Sequence, residues 1–183
     1  MSTFRIAVLV GSLRNESVNA KLAVALEKLA PAELAFDYLP IGNLSLYNQD
    51  DEQQPGAAVL ELRASIREAD GLLLVTPEYN RSVPGVLKNA IDHASRPWGK
   101  NAFAGKPAAV IGASPGPIGT AIAQQHLRAI LGVLDVPVMA APEAYVQADD
   151  ESFDADGSIA ADKRAFLKKW VERFANWVAL HNL

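Results

Sequence analysis

A doubly wound α/β fold, with a parallel sheet between two layers of helices, is the class this sequence predicts, and three observations predict it. Short apolar runs ending in Gly, Pro, Ser or Thr recur along the chain at Arg5 to Val10, Leu34 to Leu39, Gly71 to Val75 and Ala108 to Ile111. Three of them (Ile6-Ala-Val-Leu-Val10, Leu72-Leu-Leu-Val75 and Ala108-Ala-Val-Ile111) are apolar almost without interruption, as strands covered on both faces are. Helical periodicity fills the intervals between the runs, which is the alternation that builds right-handed βαβ crossovers.

The first strand leads into a helix with Leu22, Leu26 and Leu29 on one face. Leu62, Ile66 and Ala69 mark the helix before the third strand, and Val86, Leu87, Ala90 and Ile91 the one after it. Beyond the fourth strand, Ile122, Leu127, Ile130, Leu131 and Leu134 repeat the pattern. Pro137 to Tyr145 offers a fifth strand broken by Pro142, and Asp162 to His181 closes the chain as an amphipathic helix carrying Phe166, Trp170, Phe174 and Trp177. Five strands suit the flavodoxin-like order, a three-layer α/β/α sandwich, better than a six-stranded dinucleotide fold. With 183 residues, half of them hydrophobic, one domain spanning 1–183 is expected.

Composition removes whole classes of function. Lys and Arg number 17 against 21 Asp and Glu, a net charge of -4, so the electrostatic footprint of a nucleic-acid binder is missing. There is no cysteine, which excludes disulfides, thiolate metal sites and cysteine redox pairs, so any redox chemistry must come from a bound cofactor. No apolar stretch approaches the roughly 20 residues of a membrane helix, and Met1-Ser-Thr-Phe-Arg5 runs straight into a strand without export features. A soluble, cytoplasmic protein with no membrane partner is the expectation. The loop Gln147 to Asp162 partly imitates a calcium loop, but Ser152 stands at its first position and Lys163 at its twelfth, so it reads as a solvated acidic loop. His93, His126 and His181 lie on separate helical patterns without metal spacing, and no metal site is expected.

In an open parallel sheet, ligands bind beyond the carboxyl ends of the strands, and three loops there carry chemistry. Gly11-Ser12-Leu13-Arg14-Asn15-Glu16-Ser17-Val18-Asn19 gathers hydroxyls, an amide and an arginine at a helix N-terminus, which suits a phosphate; equally, Ser17 could cap the helix while Arg14 is solvated. Thr76-Pro77-Glu78-Tyr79-Asn80-Arg81-Ser82-Val83-Pro84-Gly85 is a stiff loop whose backbone at Glu78 to Asn80 could face a planar heterocycle, with Tyr79 packed beside it or simply at the rim. Gly112-Ala113-Ser114-Pro115-Gly116-Pro117-Ile118-Gly119 has three glycines that permit close approach of a ligand. It also matches the G-x-S-x-G elbow of serine hydrolases, but Pro115 follows the serine and has no N–H for an oxyanion hole. No P-loop and no G-x-G-x-x-G dinucleotide fingerprint is present.

Three segments, Val10-Gly-Ser-Leu-Arg-Asn-Glu-Ser-Val-Asn19, Thr76-Pro-Glu-Tyr-Asn-Arg-Ser-Val-Pro-Gly-Val-Leu-Lys-Asn-Ala-Ile-Asp92 and Gly105-Lys-Pro-Ala-Ala-Val-Ile-Gly-Ala-Ser114, resemble the NADPH-dependent FMN reductase family, in particular its quinone and chromate reductase branch. The likeness covers nearly the whole chain and fades after Tyr145. It implies FMN as bound cofactor, its phosphate held by Ser12, Arg14, Ser17, Val18 and Asn19, its ring edge along Pro77, Glu78, Tyr79 and Asn80, and Ser114 with Gly116 on the other side. It implies NADPH or NADH as donor, a small-molecule acceptor such as a quinone, and a homodimer or homotetramer. No catalytic acid or base is then required, because the flavin carries the chemistry. With one flavin site and no nicotinamide fingerprint, donor and acceptor are expected to use it in turn by a ping-pong scheme. An electron carrier that docks proteins instead of NAD(P)H is the rival, and a net charge of -4 is modest for one. Contacts between subunits are expected near Ser95-Arg96-Pro97-Trp98.

Overall fold

The computed structural model describes residues 3–183. Five strands form one parallel sheet: β1 (Phe4–Val10), β2 (Leu34–Tyr38), β3 (Gly71–Val75), β4 (Ala108–Ser114) and β5 (Tyr145–Gln147), in the order β2-β1-β3-β4-β5. The helices between them are α1 (Val18–Leu29), α2 (Ala57–Glu68), α3 (Gly85–Ala94) and α4 (Ala121–Val133), with α5 (Ala161–His181) at the end. The sheet order reverses between β1 and β3, which is where a doubly wound sheet opens a crevice at its carboxyl edge.

The apolar runs sort their side chains by the two-residue period of a strand. Ile6, Val8, Leu73, Val75, Ala109 and Ile111 point into one core with Leu22 and Leu26 of α1 and Trp170 and Phe174 of α5. Ala7, Leu9, Leu72, Leu74 and Val110 point into the other, against Leu62 and Ile66 of α2, Leu87 and Ile91 of α3, and Leu127 and Leu131 of α4. Two cores, one on each face, explain why these strands read as continuously apolar. No helix among the described residues is long and apolar enough to cross a membrane.

Two expectations need correction. The fifth strand is not Pro137 to Tyr145. The chain touches β4 at Val138, which bridges to Ala108, leaves around Pro142, and rejoins at β5, where Tyr145, Val146 and Gln147 pair with Gly112, Ala113 and Ser114. Proline has no N–H for the ladder and its ring restricts the preceding residue, so the strand splits around it. The fourth strand also runs three residues further than its apolar run, through Gly112 to Ser114, so the loop after it begins at Pro115.

That extension changes what the glycines do. A Cβ on Gly112 would lie 2.0 Å from the Thr76 carbonyl oxygen and 2.3 Å from Thr120 Oγ1, and one on Gly119, whose φ is +56°, would lie 2.5 Å from the Tyr145 backbone. Both glycines let protein backbone come close; of the three, only Gly116 has free space, its nearest atom being Ser114 Oγ at 3.6 Å. Gly112→Ala should therefore destabilise the protein by about 3 kcal/mol or more, because the obstructing atoms are largely backbone. Urea denaturation will show this, and an unchanged midpoint would mean that the end of β3 can yield.

Candidate functional site

Ser17 is the N-cap of α1: its Oγ accepts from the Ala20 amide at 3.2 Å, leaving its own proton to donate outward. The amides of Val18 and Asn19, in the first turn of α1, have no acceptor within the helix. The Asn19 carboxamide is buried and paired twice with the end of β4, Nδ2 donating to the Ala113 carbonyl and Oδ1 accepting from the Ala113 amide, both at 2.9 Å. Arg14 is exposed, its guanidinium hydrogen-bonded to the Glu16 carbonyl.

The loop after β3 is a tight reverse turn. Tyr79 and Ser82 exchange both backbone hydrogen bonds, at 3.1 and 3.0 Å, while Asn80 and Arg81 adopt φ of 51° and 62°. Two consecutive positive φ values define a type I′ turn, which is unfavourable for arginine. Glu78 anchors it. One carboxylate oxygen accepts the amides of Ile122 and Ala123 at 3.0 and 3.1 Å, and the other meets Arg81 at 3.2 Å. The N-cap of α4, Thr120, supplies no side-chain cap of its own, so the carboxylate of Glu78 satisfies that helix terminus from another loop. Ser82 Oγ lies 3.0 Å from His126 Nδ1, a second tie to α4.

These elements enclose a cavity of about 310 Å³ between the three loops, lined by Ser12, Arg14, Ser17, Val18, Asn19, Pro77, Glu78, Tyr79 and Ser114 together with Ala113 and Pro115. Asn80 and Gly116 lie outside it, in an adjoining cavity of about 330 Å³ that shares Glu78 and Ser114 and adds Arg81, Pro117, Ile118 and Thr120. One end of the first cavity carries hydroxyls, a guanidinium and free helix amides, the donor set a phosphate requires; the other is walled by loop backbone and proline, as a flat heterocycle requires. The residues present thus fit FMN. In α1, just beyond the cavity, Lys21 meets Asp150 at 2.9 Å and Glu16 at 3.0 Å. The hydrogen bonds that Lys21 donates to Asp150 and then to Glu16 raise the Lys21 pKa, and Lys21 in turn lowers that of Asp150.

Residues 4–151 match the family of NADPH-dependent FMN reductases. The chain belongs to that family. It is 51% identical over 175 residues to a 2-hydroxy-1,4-benzoquinone reductase from Burkholderia sp, covering 95% of this chain and 96% of that one. It is 49% identical over 179 residues to a quinone reductase from Pseudomonas putida, covering 97% and 96%. Among solved structures, FerB, a flavoenzyme NAD(P)H:(acceptor) oxidoreductase from Paracoccus denitrificans, matches with a TM-score of 0.93 at 48% identity over 98% of this chain and 99% of that one.

In this family member the G-x-S-x-G match does not assemble a hydrolase. Ser114 Oγ accepts from the Gly116 amide at 3.1 Å, capping its own turn. The histidines are engaged elsewhere: His93 with the Ser45 carbonyl, His126 with Ser82, and His181 with the Trp177 carbonyl. Arg81, Ile118 and Thr120 at the second cavity, and the capping role of Glu78, escaped the sequence reading. No local signal announces a cap that comes from 44 residues away.

Replacing Glu78 by alanine should lower stability by about 1 to 2 kcal/mol, the range of a lost N-terminal cap. Chemical denaturation of Glu78→Ala beside Glu78→Gln tests this, since the amide keeps an acceptor and should retain most of the stability. Equal losses in both would show that charge, rather than the hydrogen bonds, holds the α4 terminus.

Proposed function

We propose that this protein is an FMN-dependent NAD(P)H oxidoreductase that reduces quinones or similar small acceptors by a ping-pong mechanism. The observation that carries the reading is the cavity in which candidate phosphate donors at the N-terminus of α1 share a wall with Pro77, Glu78 and Tyr79 of the loop after β3. The relatives named as quinone reductases support the acceptor class. FMN, when bound, supplies the hydride acceptance and electron delivery.

The chain's own residues bind, orient and leave room. Ser12, Ser17 and Arg14 would hold the phosphate together with the Val18 and Asn19 amides, the Asn19 side chain fixing the helix terminus rather than reaching the ligand. Pro77 and the backbone of Glu78, Tyr79 and Asn80 would line the ring edge, with Ser114 and Gly116 on the opposite side. Tyr79 stands half-exposed at the rim, so it borders the site without closing it. A site open on one side leaves room for the donor and then the acceptor, which supports the ping-pong reading. The same reading includes one domain spanning 1–183 and a soluble, cytoplasmic homodimer or homotetramer. Trp98, 89% exposed, supports association, because so large an apolar surface is better buried by a partner.

Arg14→Ala should weaken FMN about tenfold or more, the scale of one charge-assisted hydrogen bond to phosphate, and leave riboflavin unaffected. Parallel fluorescence titrations of both flavins decide it, and equal losses would remove Arg14 from the phosphate site. For the mechanism, anaerobic NAD(P)H alone should bleach the flavin fully, and double-reciprocal plots with a benzoquinone should be parallel. Intersecting lines would mean that donor and acceptor bind together, and absence of bleaching would favour the electron carrier.

A further inference from the structure

Beside the FMN cavity lies another, of about 450 Å³, between β5, the loop that follows it and the start of α5. Pro115 lines both, and Gln147 Nε2 donates to the Pro115 carbonyl at 3.1 Å, so one hydrogen-bonded partition separates the two spaces. The resemblance to FMN reductases assigns this second space no role.

Its lining has the chemistry of a nucleotide site. Helix α5 buries Leu167, Trp170, Phe174 and Val178, yet Phe166 projects beside that stripe and is 47% exposed at the cavity. Its exposed ring offers a flat face to a base. At the α5 terminus the Lys163 and Arg164 amides donate to the Ala160 carbonyl and the Asp162 carboxylate accepts from the backbone of its own turn, so the Lys163 ammonium is the donor at this end of the cavity. Asp149 and Asp162 are each already engaged, by Ser152 Oγ at 2.9 Å and Lys163 Nζ at 2.8 Å, and retain lone pairs for ribose hydroxyls.

The donor itself presents a need that this space meets. A reduced nicotinamide dinucleotide must bring its nicotinamide to the flavin, and its adenosine end must rest somewhere within reach. The chain has no dinucleotide fingerprint to hold that end. We infer that the cavity between β5 and α5 binds the adenosine half of NAD(P)H, with the adenine stacked on Phe166, the adjoining ribose met by Asp149 and the diphosphate by Lys163. This rests on the oxidoreductase reading above.

The test compares an intact donor with a truncated one. Wild type, Phe166→Ala and Phe166→Tyr are assayed as FMN-loaded proteins with NADPH, NADH and reduced nicotinamide mononucleotide, which has no adenosine, against one benzoquinone. Phe166→Ala should lose about tenfold in kcat/KM for both dinucleotides, the scale of one base stacked on an aromatic ring. Its kcat/KM for the mononucleotide and its KM for the quinone should not change, and Phe166→Tyr should restore dinucleotide use. ADP-ribose should inhibit wild type competitively against NADPH and inhibit the alanine variant about tenfold less. Equal losses with intact and truncated donors, or no loss with either, would overturn the assignment. If wild type oxidises none of the three donors, the oxidoreductase reading itself fails, a result distinct from failure of the adenosine site.

Discussion

The carboxyl edge of the sheet is held in shape by one side chain that ties the start of α1 to the end of β4. Asn19, in the first turn of α1, donates to and accepts from the two backbone groups of Ala113 in β4, with 94 residues between them. A carboxamide can answer an amide and a carbonyl at once without a charge, and burial makes each partner expensive to abandon, about 1 to 3 kcal/mol apiece. The pair fixes the position of the α1 terminus, which borders the cavity, relative to the loop that follows β4. Glu78 continues the stitching by reaching from the loop after β3 to the start of α4. Three loops that are far apart in the chain thereby become walls of one cavity.

The same economy accounts for the strained turn at Asn80 and Arg81. Positive φ at a non-glycine residue costs on the order of 1 to 3 kcal/mol, and such a turn persists only where its surroundings hold it. Here the flanking residues do so, Glu78 through the α4 amides and Ser82 through His126. What the turn gains is placement, because it sets Glu78 and Tyr79 in the wall of the first cavity and Asn80 in that of its neighbour. Gly112 and Gly119 belong to this scaffold as well, since their missing side chains allow β3, β4 and β5 to end close together. The membership in the FMN reductase family and the cavity's donor set point the same way, to a site whose protein part is binding and orientation.

Much of this was legible in the sequence, and what was hidden was long-range. The runs Ile6 to Val10 and Leu72 to Val75 declare buried parallel strands because both faces of the sheet are covered, which leaves no polar alternation to blur them. The loops that line the cavity stood out in the sequence because Ser, Arg, Asn and Pro collect after apolar runs at the one edge where such sheets bind ligands. By contrast β5 is three residues long, with only Val146 buried, too short a pattern to mark its own bounds. Asn19 read as a ligand residue because a polar side chain at a helix N-terminus suggests one, whereas its partners on Ala113 are visible only in the folded chain. Glycines in a loop-like stretch suggested room for a ligand, and two of the three proved to make room for backbone.

Asn19→Ala is therefore the variant that tests the account at its centre, with dissociation constants measured for both FMN and riboflavin. If the Asn19 side chain acts by pinning α1 to β4, its loss disturbs the whole cavity, and both flavins should weaken by a similar factor of about ten or more. A loss confined to FMN, with riboflavin bound as in wild type, would show the carboxamide to be a direct phosphate ligand and would contradict the pinning role given to it here.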